Sequence, residues 1–272
     1  MGNTVAIYNF KGGVGKTTTA LNLGYAWSRQ FKVLLIDCDP QCNLSNSLGA
    51  DNSTKSIYRY IKDLLHDNLP ENIEAQEVTP YMHLLPGDYL MTEMESNSRF
   101  ISFGPNIVQK LGYVLRKDYD IVIMDMPTHF GGLVKSMLTD VDSILIPALA
   151  DSFSIDGIKK LLTFLYTVER KRPLNILGIY FNMYKQSLIH HREKYTEAMT
   201  EFEDLMLEST VSNSIKVSEA IDIGKSMNRV NPENKSAIDF LKLSDELMAK
   251  FNNTFLSSKF ISEEFLENIK TR

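Results

Sequence analysis

Residues 9–19 read NFKGGVGKTTT, a glycine-rich stretch caught between an apolar run, TVAIYN (4–9), and a segment of helical period, KTTTALNLGYAWSRQ (16–30). Ala20, Leu23, Gly24 and Trp27 fall on one face of that helix. A strand that turns into a helix through glycines leaves backbone N–H groups exposed at the helix N-terminus, where the helix dipole also favours an anion. The stretch from Gly12 through Gly13, Val14, Gly15, Lys16, Thr17 and Thr18 is therefore a phosphate cradle. Lys16 is placed for the β- and γ-phosphates of a nucleotide and the Thr17 hydroxyl for Mg²⁺. The usual loop has glycine where this chain has Phe10, and it has one lysine where this chain has two, Lys11 and Lys16.

The rest of the first half alternates apolar runs with helical stretches. KVLLID (32–37), YDIVIMD (119–125), DSILIPA (142–148) and LNILGIYFN (174–182) read as buried strands, MHLLPG (82–87) as a weaker one, and about 154–171 as a helix. Strands separated by helices predict parallel βαβ units: an α/β fold with a doubly wound, mainly parallel sheet flanked by helices. Residues 50–80 are polar with weak helical character around SIYRYIKDLL, and 183–250 are mostly helical. The tail 255–272 reads as a further helix, and the whole of 1–272 as one domain. Three aspartates close strands at the end where such a sheet holds its ligands: Asp37 and Asp39 in VLLIDCDP, and Asp125 in IVIMDMP. Asp37 and Asp125 suit Mg²⁺, and Asp39 an attacking water.

Six ordered segments carry a resemblance to a known family. KGGVGKTTTALNLGYA, VLLIDCDPQCNLSNSLG, YDIVIMDMPTHFGGL, LIPALADSFSIDGIKKLL, LGIYFNMYKQS and STVSNSIKVSEAIDIGKSM resemble the motifs of the ParA/MinD deviant-Walker P-loop ATPases, most closely the ParA branch, over about residues 4–250. The resemblance implies a slow ATPase that binds ATP and Mg²⁺ as a sandwich homodimer. It implies that Lys11 crosses to the partner's phosphates, that Asp39 positions water, and that Asn182 is a candidate contact for adenine. It also implies nonspecific DNA as a ligand and a ParB-like, centromere-binding activator, in the service of plasmid or chromosome partition. Lys216, Lys225 and Arg229 are the candidate DNA contacts, with the basic spot at 169–173 beside them. The chain departs from the family at Cys42, where glycine is frequent, and at Thr128, where a second proline is usual.

A net charge of -5 excludes a uniformly basic nucleic-acid binder, so DNA binding needs a local patch. Two cysteines, Cys38 and Cys42, are too few for a disulfide framework, and without a secretory signal the reading is a cytoplasmic protein, associated with the nucleoid if it holds DNA. The tail is mixed in charge, with three Glu against Lys270 and Arg272 in SEEFLENIKTR, and lacks the Lys/Arg-rich polar face of a membrane-surface helix, so no stable membrane insertion is expected. Two other functions compete: a regulator of the same fold that positions a protein cargo without DNA, and a metabolic ATP-dependent enzyme. The second needs a substrate-side constellation that the sequence does not display.

Overall fold

The computed structural model describes residues 2–51, 53–168 and 174–253. The expected tail helix at 255–272 and the basic spot at 169–173 lie outside the described residues.

A seven-stranded sheet forms the centre, in the order β3-β4-β2-β5-β1-β6-β7. The strands are β1 (Asn3–Ile7), β2 (Val33–Asp37), β3 (Gln76–Thr79), β4 (Met82–Leu85), β5 (Ile121–Asp125), β6 (Ser143–Ala148) and β7 (Asn175–Phe181). Every pairing is parallel except β3 with β4. β2, β5, β6 and β7 are buried along their whole length, which explains their unbroken apolar runs: helices cover both faces.

Two apolar cores lie on opposite faces of the sheet. One holds Val5, Ile7, Leu35 and Ile123 against Leu21, Leu23 and Trp27 of α1 (Lys16–Trp27), with Phe240, Leu243 and Leu247 of α10 (Lys235–Asn253). The other holds Ala6, Leu34, Val122 and Ile144 against α3 (Ile57–Leu65), α4 (Ser98–Asp118), α5 (Gly132–Leu138) and α6 (Ser152–Tyr166). Alternate residues of each strand serve opposite cores, as the two-residue strand period requires.

Two elements differ from expectation. α4 is a 21-residue helix in a stretch where the sequence suggested none. Gly104, Pro105 and Gly112 interrupt its apolar period, yet Phe100, Ile107, Val108, Leu111 and Leu115 still reach the core, and the Asn97 side chain caps it by accepting from Phe100 N at 2.9 Å. β3, in the polar region, is a short edge strand paired through a register shift. The remaining helices are α2 (Asn43–Ser47), α7 (Ile189–Phe202), α8 (Ile215–Asp222) and α9 (Met227–Val230). Among the described residues, no helix is long and apolar enough to cross a membrane.

Candidate functional site

The loop between β1 and α1 opens at the carboxyl ends of the parallel strands. Gly13 and Gly15 take positive φ of 73° and 90°, which turns their amides toward the opening. Gly15 is also required by space, because a Cβ there would meet Asn182 Nδ2 at 2.1 Å. Side chains of β7 and of the residue that follows it hold the loop and the start of α1 in place. Asn182 Nδ2 donates to Val14 O at 2.9 Å, and Asn182 Oδ1 accepts from Met183 N at 2.9 Å. Thr19 Oγ1 donates to Gly15 O at 2.6 Å, which leaves its lone pair for the buried Tyr180 hydroxyl at 2.5 Å.

The loop faces a cavity of about 550 Å³ lined by Gly13, Gly15, Lys16, Thr17, Thr18, Asp39, Asn43, Asn46, Ser47, Thr128, Met183, Ile221 and Asp222. An equally large groove between α3 and α4, lined by Leu64, Phe103, Ile107 and Tyr113 among others, has no phosphate-binding loop. Burial pushes the Lys16 ammonium below its ordinary pKa, with Asp125 and Asp39 pulling it back up.

Asp37 and Asp125 end neighbouring strands in register with each other. Both are buried, and burial pushes both carboxyls above the usual range. For Asp125 the charge of Asp37 pushes further; for Asp37 the bonds from Ser45 oppose the rise. Asp125 Oδ2 accepts from Thr17 Oγ1 at 2.7 Å, while its Oδ1 is buried without a hydrogen-bond partner. An orphaned carboxylate oxygen beside the loop threonine is what a hard cation needs, so these residues fit Mg²⁺ held by few protein ligands plus phosphate and water. Among the described residues no cluster of three or more His, Cys, Asp or Glu offers an all-protein metal site.

Asp37 Oδ2 accepts from both Ser45 N at 2.8 Å and Ser45 Oγ at 2.6 Å, which ties it to α2. Asp39 lines the cavity, and its Oδ1 accepts from Gln41 N at 2.9 Å in a local turn.

Lys11 does not line the cavity. Its Nζ lies 2.6 Å from Asp151 Oδ2 and 3.2 Å from Ser154 Oγ, at the start of α6. Asp151 also caps that helix through Ser154 N. Burial raises the Asp151 carboxyl, but the bonds from Lys11 and Ser154 outweigh it and hold the group low. Phe10, in the place of the usual glycine, packs its ring on Tyr8 at 6.2 Å and Phe130 at 5.5 Å. Sequence reasoning missed Asp151, Thr19 and Tyr180, because Lys11 meets Asp151, and Thr19 meets Tyr180, across the fold; it missed Ser45 because a serine eight residues beyond Asp37 carries no motif of its own.

A family profile described as an AAA domain matches residues 2–177. A ParA family protein of Chlamydia trachomatis is 31% identical over 262 residues, covering 92% of this chain and 99% of its own. This chain belongs to the ParA family. The chromosome partitioning protein ParA of Myxococcus xanthus is 30% identical, covering 92% of this chain and 89% of its own. Among solved structures, a plasmid partition protein of Borrelia burgdorferi bound to AMPPNP superposes with a TM-score of 0.74 at 19% identity, over 93% of this chain and all of that one. The likeness agrees with the fold built above.

Three sequence expectations meet other partners. Asn182, the candidate contact for adenine, donates its amide to the loop backbone at Val14 O. Lys216 pairs with Glu219 at 2.7 Å, one helical turn away. Arg229 stacks its guanidinium 4.7 Å over the Tyr25 ring. Lys225 is exposed.

Proposed function

We propose that this chain is an ATP-driven partition or positioning switch: ATP and Mg²⁺ close a homodimer, the dimer holds nonspecific DNA, and a ParB-like partner triggers slow hydrolysis that releases it. The family supports the partition reading, and the second lysine carries it. Lys16 is buried in its own loop, whereas Lys11 extends to a carboxylate at the face where Phe130 and Phe153 are 66% and 82% exposed. Exposed aromatics around a transferable cation suit a surface that a second copy covers.

In this reading the loop amides from Gly12 to Thr18 and Lys16 hold the phosphates, and Thr17 and Asp125, backed by Asp37, would hold Mg²⁺, which when bound neutralises phosphate charge. Asp39 orients the attacking water, and Lys11 leaves Asp151 to stabilise charge on the partner's nucleotide. Lys216, Lys225 and Arg229 are weak candidates for DNA, two of them being engaged within the chain. Lys11→Ala should keep nucleotide binding and lose hydrolysis; unchanged turnover would make Lys11 a bystander. Retention of random-sequence duplex with ATP and not with ADP, at low salt, tests the DNA arm; equal retention with both, or none, removes it.

A further inference from the structure

At the C-terminal end of α1, away from the phosphate loop and on the face covered by α1 and α10, lies a separate cavity of about 260 Å³. Its lining includes Arg29, Arg229, Tyr25, Ser226, Asn228 and Tyr81, and no aspartate or glutamate. In a chain of net charge -5, a concave site with two guanidiniums and no lining carboxylate is a local reversal of sign. Neither arginine pairs with a carboxylate among the described residues. Both are fixed in place instead. Arg229 lies over the Tyr25 ring, and Arg29, in the turn that follows α1, donates to Asn228 Oδ1 at 2.5 Å. The floor is polar as well. Ser226 is 2% exposed, its side chain does not close the cap of α9, and its hydroxyl takes no hydrogen bond among the described residues.

We infer that this cavity binds a phosphate group, with Arg29 and Arg229 as its forks and Ser226 as a third donor. Planar guanidiniums match phosphate oxygens in pairs, and a rigidly held arginine gives up little freedom on binding. The volume admits a phosphate joined to a sugar-sized group. The assignment stands apart from the nucleotide reading, since it uses none of the residues of the phosphate loop.

Calorimetric titration of the full chain with ribose 5-phosphate, together with retention of a short random duplex, tests it and separates a sugar phosphate from DNA. The expected result is a single ribose 5-phosphate site weakened about tenfold or more by Arg29→Ala and by Arg229→Ala. Arg→Lys at either position restores part of the loss, which a folding defect would not allow, and matched melting temperatures confirm intact protein. No ribose 5-phosphate binding, with duplex retention lost in both alanine variants, overturns the inference and leaves the two arginines to the DNA arm of the proposed function. Binding of either probe that is indifferent to both arginines, or no binding of either, overturns the inference.

Discussion

Asn182→Ala separates two roles that one residue could fill in a nucleotide-binding protein. In the structure Asn182 is 3% exposed and bridges the Val14 carbonyl to the Met183 amide. Alanine removes both bonds. Losing a donor to a buried carbonyl costs about 1–3 kcal/mol, which for a chain of this size lowers the melting temperature by about 2–5 °C. The loop then has to be ordered by the nucleotide itself, so affinity should fall by roughly tenfold for each 1.4 kcal/mol of ordering. The loss should be equal for ATP and GTP, because the brace touches backbone and not base. Thermal melting without nucleotide, and titration with fluorescent ATP and GTP analogues, check both parts. A variant with the wild-type melting temperature that no longer prefers ATP over GTP would refute the brace and make Asn182 the reader of adenine.

Other perturbations test neighbouring claims. Ser45→Ala removes a hydroxyl that donates to Asp37 and accepts from Gly87 N at 2.9 Å; it should destabilise the protein by roughly 1–3 kcal/mol, seen in urea unfolding. Asp37→Asn should act in the opposite direction. Burial raises the Asp37 pKa in the fold, so folding favours the protonated carboxyl and wild-type stability falls as pH rises above the unfolded value. Without Mg²⁺ the asparagine variant should therefore gain at pH 7 to 8, by roughly 1–3 kcal/mol, and converge on wild type in acid; no gain at pH 8 would count against a buried charge. Tyr180→Phe should cost about 1 kcal/mol in the same assay, since Thr19 keeps its bond to Gly15 O.

Much of the fold was legible because strands buried on both faces write themselves as unbroken apolar runs, and those of β2 and β5 end on the aspartates of the site. The loop was legible for a local reason: its glycines, lysine and threonine are consecutive. α4 escaped because two glycines and a proline broke its period, although the surrounding core holds it helical. β3 escaped because a half-buried four-residue edge is too short to show an apolar pattern. The side-chain partners escaped for a reason of distance. Lys11 and Asp151 are 140 residues apart, and Thr19 and Tyr180 are 161 apart, so no window of sequence contains either pair.

The pairing of Asp37 with Asp125 across adjacent strands also sets a length standard. Parallel neighbours stand about 4.8 Å apart, held by a ladder of hydrogen bonds that continues from Val33 opposite Ile121 to the two aspartates. The spacing of the two backbones at the aspartates therefore belongs to the sheet and not to the loops around it. Lengthening either side chain to glutamate while leaving the backbone untouched changes the one dimension that no loop movement can restore.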